Sequence, residues 1–334
     1  MLAFICAKYS ETTLGTCRVT EEFRTHSLEL PAALAGLRLD QALARALPQY
    51  SRARLQAWIE AGAVRVDGRP PRARDRVIGG ERVSIEARLE AQVPMEPDAM
   101  PLQVVHRDEA LLVIDKPAGL VMHPGAGNVR GTLQNALLAY DPALARVPRA
   151  GIVHRLDKDT SGLLVIARTP EAHAALVAAL AAREIERHYL AICTGAMTGG
   201  GTVEQPIGRH RTDRTRMAVR SDGREAVTHF RIVRRFRAHT LVRCRLETGR
   251  THQIRVHLAH IGHPLVGDPV YGGRRRLPPA ASEALVAALR SFRRQALHAE
   301  SLALVHPVTG ESLRWKSPLP ADMQALLAVL EAQP

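Results

Sequence analysis

The sequence predicts an α/β chain of the α+β class, in which a small basic module precedes a larger domain built on a mixed, largely antiparallel sheet. Helical periodicity followed by short alternating strands is concentrated in residues 36–87. From residue 105 onward, short apolar runs outnumber helical segments and do not alternate regularly with them, which disfavours βαβ units. A charged stretch with three prolines, residues 88–104, is predicted to link the two parts.

The predicted boundaries are an N-terminal extension over residues 1–30, the module over 36–87, the linker over 88–104 and the larger domain over 105–330. The extension shows no clear period. Three interpretations of it stay open, namely a disordered tail, a short strand or a start codon assigned too early.

The module is predicted to contain two helices followed by short strands. Pro48 ends the first helix, and Ser51 is a candidate N-cap for the second. Residues 64–66 and 83–85 alternate as strands do, and Asp67-Gly68 is a hairpin turn signal. Apolar residues at helical spacing define the first helix: Leu39, Ala42, Leu43, Ala46 and Leu47.

The larger domain is predicted to contain at least five strands and two helices. Thr169-Pro170 is a favourable N-cap and first-turn pair for a helix over 170–182, and Ser282 is the candidate N-cap of a helix that extends to Arg290. The predicted strands are residues 111–114, 163–166, 189–192, 230–233 and 241–246.

The charge of the chain favours a polyanionic partner. Lys and Arg number 46 against 33 Asp and Glu, and the formal net charge is +13. Guanidinium groups bind phosphates through paired hydrogen bonds and stack on bases, so RNA or DNA is the first candidate. A basic composition typical of an Arg-rich proteome is the alternative, and charge alone hardly separates the two. The 334 residues, 46% of them hydrophobic, can bury a core in each of two domains.

Other protein classes are disfavoured by patterns that the sequence lacks. The four cysteines form no Cys-x-x-Cys motif, no apolar run reaches the length of about 18 residues that a membrane span needs, and the N-terminus has no signal-peptide pattern. We therefore expect a cytoplasmic protein with free thiols. His252, His257, His260 and His263 do not have the spacing of a His-Glu-x-x-His site, so no metal is expected.

Residues 151–162 carry the densest group of chemically active side chains. This segment contains His154, Arg155, Asp157 and Asp159, and it leads directly into an apolar strand. Any one of these residues alone is more often a surface or capping residue. Polar side chains held rigidly beside a strand, however, are suited to an active site.

The segment His154-Arg-Leu-Asp-Lys-Asp-Thr-Ser-Gly162 resembles the signature of the RluA family of pseudouridine synthases. In the module, residues 51–55 and 64–68 resemble the S4 RNA-binding domain. The resemblance covers residues 36–325, implies the pseudouridine synthase fold, and points to RluD-type members, which act on large-subunit (23S) ribosomal RNA. Further segments resemble the family's other motifs in the same order: residues 115–124, 187–191, 246–257, 267–272, 298–300 and 306–310.

The resemblance implies an isomerase in which Asp157 is the catalytic carboxylate. Breaking a glycosidic bond develops positive charge at C1′, which a carboxylate stabilises. Asp157 either attacks C1′ or removes the C2′ proton to give a glycal, and both routes stay open. Arg255 matches the basic partner that keeps this carboxylate ionised, with a structural ion pair as the alternative. Tyr189 matches the aromatic residue that contacts the flipped base and assists proton removal at C5, with a half-buried strand tyrosine as the alternative.

Three more residues are assigned to the substrate pocket by the same resemblance. Arg155, beside His154, matches the arginine that fills the space left by the flipped base. Ile254 matches an apolar pocket residue, although a plain core role is equally consistent with the sequence. The reaction is redox-neutral, and no cofactor is expected.

Two groups of arginines are predicted to bind RNA phosphates, which would position the RNA without reading its sequence. A solvated surface is the alternative for both groups. The residues are Arg52, Arg54 and Arg65 in the module, and Arg209, Arg211, Arg214 and Arg216 in a loop of the larger domain.

Three other functions stay open beside the main prediction. A non-catalytic rRNA-binding assembly factor is disfavoured because Asp157, Tyr189 and Arg255 are all present. A nucleic-acid glycosylase would share the carboxylate and the flipped base but release the base. A synthase that acts on tRNA or on other rRNA sites is not excluded. The expected partner is ribosomal RNA or a pre-ribosomal particle, without a membrane, and the expected state is a monomer.

Overall fold

The structure, a computed structural model, describes residues 22–47, 50, 52–89, 96–125, 128–213, 215–273 and 277–333. The chain divides into two compact units, residues 1–95 and residues 96–334. Within the described ranges, no helix combines the length and the apolar character that crossing a bilayer requires.

The first unit packs two helices against a three-stranded antiparallel sheet with the order β1-β3-β2. Leu39 and Leu43 of the first helix, Leu55 of the second and Ile85 of the sheet are buried in one apolar cluster. The elements are β1 (Glu22–Glu29), a 3-10 helix (Ala32–Leu34), α1 (Leu39–Ala46), α2 (Arg52–Glu60), β2 (Val64–Val66) and β3 (Arg82–Leu89).

The helices and strands predicted for the module are confirmed, and so is its turn. The backbone N–H of Val66 donates to the carbonyl of Arg69 at 2.9 Å, and the reverse bond is also 2.9 Å. Asp67 and Gly68 between them have φ values of 48° and 76°, the left-handed pair that a two-residue hairpin turn requires. Pro48 and Ser51 lie outside the described residues.

The N-terminal region contributes a strand, which is one of the three interpretations left open by its sequence. β1 pairs with β3 from Glu22 opposite Leu89 to Glu29 opposite Arg82. This pairing extends β3 to Leu89, two residues into the segment 88–104 that was predicted as a linker. The first strand of the second unit begins at Gln103, also within that segment.

The second unit is built on a nine-stranded sheet with the order β4-β5-β6-β13-β7-β12-β11-β8 and with β14 paired to β13. A separate two-stranded sheet pairs β9 with β10. The strands are β4 (Gln103–Arg107), β5 (Leu111–Lys116), β6 (Ser161–Ala167), β7 (Glu186–Thr194), β8 (Gly201–Glu204), β9 (Ile207–Arg209), β10 (Met217–Val219), β11 (Val227–Arg235), β12 (His239–Leu246), β13 (Leu297–Val305) and β14 (Ser312–Lys316). The helices are α3 (Leu133–Tyr140), α4 (Pro170–Ala181), α5 (Gln253–His260), α6 (Glu283–Ser291) and α7 (Ala321–Glu331), with 3-10 turns at Pro142–Arg146 and Pro148–Gly151.

The predicted α+β class with a largely antiparallel sheet is confirmed, since β6 and β13 form the one parallel pair among the described strands. All five predicted strands are present, in β5, β6, β7, β11 and β12. Both predicted helix caps are present too. Thr169 Oγ1 accepts from the backbone N–H of Ala172 at 3.1 Å, and Ser282 Oγ accepts from that of Leu285 at 3.2 Å.

The central strand β7 separates two apolar layers. Tyr189, Ala191 and Cys193 belong to the cluster that includes α3, α4 and α5, whereas Leu190 and Ile192 belong to the cluster that includes α6 and α7. This alternation follows from the two-residue period of a strand. Tyr189 therefore faces the side of the sheet where the polar signature segment lies.

Candidate active site

A cavity of about 850 Å³ lies on the side of the sheet that carries Tyr189. Its volume lies within the range of about 300–1,000 Å³ that is usual for ligand sites. Three segments provide most of its lining: residues 149–160 before β6, residues 183–189 in and before β7, and residues 246–255 leading into α5. Two of the segments identified in the sequence, the signature and the 246–257 motif, thus face each other although they are about a hundred residues apart.

Asp157 and Arg255 form an ion pair at the wall of this cavity. Arg255 Nη1 donates to Asp157 Oδ2 at 2.9 Å, and the two side chains are 5% and 15% exposed respectively. Asp157 belongs to the loop before β6, and Arg255 lies in the first turn of α5. The second carboxylate oxygen, Oδ1, accepts no hydrogen bond from the described residues.

Asp268 is a second carboxylate partner of Arg255, and the sequence did not single it out. Arg255 Nε and Nη2 donate to Asp268 at 2.7 Å and 3.0 Å, and the Asp268 side chain is fully buried. The backbone N–H groups of Val270 and Tyr271 also donate to Asp268. Burial opposes ionisation of Asp268, but the Arg255 guanidinium outweighs it and lowers the pKa of the carboxyl. For Arg255 itself, burial is outweighed by Asp268 and Asp157, which raise its pKa.

His252 and Tyr271 form the next contacts of this pair. The Tyr271 hydroxyl accepts from the Met217 backbone N–H at 2.9 Å and lies 2.8 Å from His252 Nδ1. On the other side of the ring, His252 Nε2 lies 3.9 Å from Asp157 Oδ1. Burial lowers the pKa of His252, although the Asp157 charge opposes this effect. The Arg255 guanidinium lies 5.0 Å from the centre of the Tyr271 ring.

Tyr189 is 5% exposed and lines the cavity from β7. Burial raises the pKa of its hydroxyl, with an opposing effect from Arg187. The phenol is therefore protonated at neutral pH.

His154, Arg155 and Ile254, which the sequence assigned to a substrate pocket, all line the cavity. Arg155 is exposed, whereas Ile254 is 4% exposed and also belongs to the main apolar cluster. His154 is tied to the sheet, since its Nε2 accepts from the Val165 backbone N–H at 3.2 Å. Burial, followed by the charge of Arg187, lowers the pKa of His154 to about 3.

The low pKa of His154 predicts acid-dependent stability. The unfolded histidine takes up a proton near pH 6.5 and the folded one only near pH 3, so the unfolded state binds more protons as the pH falls between these values. This residue should thus lower the free energy of unfolding by about 2 kcal/mol between pH 6.5 and pH 5. Calorimetry should show a smaller fall in Tm over this range for His154→Gln. His260→Gln, at an exposed position, is the control and should follow the wild type; equal slopes for all three proteins would contradict the prediction.

Lys116 holds the backbone beside Asp157 in place. Its side chain is buried, and Nζ donates to the carbonyls of Pro117 at 2.7 Å, Leu120 at 3.0 Å and Lys158 at 2.8 Å. Burial lowers the pKa of Lys116 to about 8, although Asp159 and Asp157 oppose this. The Lys116 ammonium group thus joins the loop after β5 to the loop before β6, at Lys158, the residue that follows Asp157.

Lys116→Met should lower both stability and activity. Three carbonyls each lose one hydrogen bond, although that of Lys158 keeps the Gly119 N–H, and we expect the free energy of unfolding to fall by about 2–4 kcal/mol. The loosened loop at Lys158 should lower the single-turnover rate about tenfold, because small displacements of a catalytic group are costly. Calorimetry and single-turnover rates test this prediction. Lys316→Met, at an exposed site on β14, is the control and should behave as the wild type does. Wild-type values for Lys116→Met would contradict the assigned role.

The arginines predicted to bind RNA differ in their surroundings. Arg52 donates to the buried Asp40 at 2.7 Å, which Arg38 and Gln56 also contact, so it is committed to the first unit. Arg65 and Arg211 are exposed, and so is Arg209, which has partners of its own. Arg54 is partly buried and has partners of its own. Arg216 lies 5.6 Å from the centre of the Tyr271 ring, and Arg214 lies outside the described residues.

Comparison with protein families gives two matches along the chain. Residues 110–260 match the family model described as RNA pseudouridylate synthase, and residues 37–83 match the S4 domain. The first match includes Asp157, Tyr189 and Arg255.

Curated relatives and solved structures extend the comparison to most of the chain. The ribosomal large subunit pseudouridine synthase D of Xanthomonas campestris is 57% identical over 90% of this chain and 91% of its own length. The protein of the same name from Escherichia coli K12 is 56% identical over 89% and 91%. The solved structure of human RNA pseudouridylate synthase domain containing 4 is 27% identical, covers 69% of this chain and 93% of its own, and superposes with a TM-score of 0.54.

Proposed function

The chain belongs to the family of RNA pseudouridine synthases, and we propose that it isomerises specific uridines to pseudouridine in large-subunit (23S) ribosomal RNA. The single observation that carries the chemistry is the Asp157 carboxylate, with Oδ2 held by Arg255 and Oδ1 open to the cavity. The ribosomal substrate is supported by relatives at 56–57% identity that are named for the large subunit, and by the S4 domain.

Asp157 acts at C1′ of the target uridine. The N1–C1′ bond breaks, the base rotates, the C5–C1′ bond forms, C5 loses its proton and N1 gains one, so the reaction needs no redox partner. The carboxylate is desolvated when a base enters, which favours its neutral form, and the buried Arg255 cation opposes that effect. Since Oδ2 is occupied, Oδ1 is the oxygen that either attacks C1′ or takes the C2′ proton.

The target base leaves its stack and enters the cavity beside Tyr189. Arg155, exposed at the cavity wall, fills the space left in the RNA, and Ile254 contacts the base from α5. The raised pKa of Tyr189 keeps its hydroxyl protonated, which supports contact with the base more than a role as the proton acceptor at C5. His252 Nε2 lies 3.9 Å from Asp157 Oδ1, and an imidazole with its proton on Nε2 stabilises the carboxylate charge.

Contacts outside the cavity position the RNA. Arg65, Arg209 and Arg211 are exposed and bind phosphates, and Arg216 does so beside Tyr271. Arg52 contributes less, since Asp40 already holds it. We propose a monomer that acts in the cytoplasm on ribosomal RNA or on a pre-ribosomal particle.

The test is release of tritium from a large-subunit ribosomal RNA transcript labelled at uridine C5. We expect release by the wild-type protein, with no free uracil, and pseudouridine at a few positions after carbodiimide mapping. Free uracil would instead indicate a glycosylase. Release from tRNA but not from the ribosomal transcript would overturn the substrate class. Tight binding of the ribosomal RNA without release from either RNA would favour a non-catalytic binding protein.

A further inference from the structure

Arg187 is a buried cation in the cavity lining that forms no ion pair with any described residue. It is 7% exposed, and its Nε is fully shielded and lacks a hydrogen-bond partner among the described residues. Within the same part of the chain its Nη atoms make no hydrogen bond or ion pair. A guanidinium stays protonated at any physiological pH, and it has donors but no acceptor. Burying such a group without an acceptor is costly, which indicates that an acceptor arrives with the substrate.

His154 presents a second donor of the same kind. Its Nε2 accepts from the Val165 N–H, so the neutral ring carries its proton on Nδ1. That Nδ1 is buried and has no acceptor within the described ranges. The nearby charge of Arg187 disfavours a second proton on the ring. Two buried donors without acceptors thus line one cavity, from β7 and from the signature loop.

The position of Arg187 indicates which part of the substrate it meets. Arg187 and Tyr189 are two residues apart on β7, so their side chains leave the same face of the strand, about 6–7 Å apart along it. A base that contacts Tyr189 is therefore within reach of the guanidinium. A phosphate on the RNA backbone would be expected at the exposed rim, where Arg155 lies, and not beside a side chain that is more than nine-tenths buried.

We propose that Arg187 and His154 donate hydrogen bonds to the carbonyl oxygens of the target base and so select uracil. Uracil offers the acceptors O2 and O4 on its edges, whereas cytosine presents an amino donor in place of O4. At the position of O4 the cytosine amino group would face one of these two donors, and both would stay unpaired, which disfavours cytosine. This inference deepens the proposed function and rests on it.

Gly249 supports the placement of the guanidinium. A Cβ at this position would lie 3.0 Å from Arg187 Nη1, which is closer than ordinary van der Waals contact. The missing side chain leaves room for Arg187 to occupy its present position. Gly249→Ala should displace the guanidinium by a few tenths of an ångström without removing its charge.

A double-mutant cycle tests the contact directly, with a change in the protein combined with the replacement of one base oxygen by sulfur. The substrate is an RNA fragment that carries one target uridine, located by mapping on the wild-type protein, and prepared with uridine, 2-thiouridine or 4-thiouridine there. Sulfur is a weaker acceptor than oxygen, and its intrinsic effects are shared by all enzyme variants, so the cycle cancels them. Single-turnover rates are measured for wild type, Arg187→Met and Arg231→Met, the last an exposed arginine on β11 outside the cavity.

Arg187→Met should lower the rate on uridine by about 10- to 100-fold, with RNA affinity within about threefold of wild type. One of the two sulfur substitutions should slow wild type and Arg231→Met about tenfold but Arg187→Met less than about twofold. Equal losses in all proteins for both sulfur substrates would overturn the proposal. If Arg187→Met does not fold, Gly249→Ala takes its place in the cycle. A sulfur effect smaller than that of wild type and Arg231→Met then supports the contact, and an equal effect overturns it.

The cycle also separates failure of this inference from failure of the ribosomal substrate. The fragment is chosen by wild-type activity, so it comes from tRNA if ribosomal RNA is not modified. Absence of activity on ribosomal RNA would therefore refute the proposed substrate and leave the base contact to be decided by the cycle.

Discussion

Asp157→Asn is expected to abolish pseudouridine formation, with a fall of at least about 10⁴-fold in the single-turnover rate. Asparagine has nearly the same shape and can still accept a hydrogen bond from Arg255 through its Oδ1. It carries no charge, however, so it neither stabilises positive charge at C1′ nor attacks that carbon or removes a C2′ proton. RNA affinity should stay within about threefold of wild type, because most binding energy comes from phosphates.

Asp159→Asn is the matched control for this prediction. The same chemical change is made two residues away, at a side chain that is not part of the cavity lining, and the rate should stay near that of wild type. Tritium release under single-turnover conditions and filter binding give the two quantities. A rate for Asp157→Asn above about a tenth of wild type would remove Asp157 from the chemical step.

The family signature could be recognised in the sequence because its residues form a local motif. His154, Arg155 and Asp157 lie within four residues of one another, and the matches to the synthase family and to the S4 domain confirm the predicted family and enzyme class. The strands with continuous apolar runs were also predictable, since burial on both faces of a sheet requires such runs.

Several of the elements that were not predicted lack the periodicity on which prediction depends. Six consecutive residues at the start of α5, Gln253 to Leu258, are buried, so this part of the helix has no solvent-exposed face and no amphipathic pattern. The helix α3 is similar, with all of its first six residues buried. The strands β8, β9 and β10 have only three or four residues each and carry little alternation.

The partners of the site residues depend on long-range packing and could not be inferred from spacing. Asp268 follows α5 by several residues and returns to Arg255 only because the chain turns there, with two backbone N–H groups on the carboxylate. Lys116 meets the carbonyl of Lys158, 42 residues later. Arg187 begins the 187–191 motif, but the motif does not reveal its role, and among the described residues its burial without an ion-pair partner is what distinguishes it.

Arg255→Met should be the most destabilising single change in the site and should also remove most of the activity. The fully buried Asp268 would lose its cation, which we expect to lower the free energy of unfolding by about 3–5 kcal/mol. Calorimetry should show this as a fall of roughly 10 °C in the Tm of the second unit. Without the guanidinium at Oδ2 of Asp157, we expect the single-turnover rate to fall by about 10²- to 10³-fold.

Adding Asp268→Asn to Arg255→Met separates the two roles of the arginine. Asparagine carries no charge to leave unpaired, and its Oδ1 can still accept from the N–H groups of Val270 and Tyr271, so more than half of the lost Tm should return. The rate should stay at the level of Arg255→Met, because Asp157 still lacks a cation. Recovery of the rate together with the Tm would mean that Arg255 supports the fold around Asp268 and contributes nothing through its contact with Asp157.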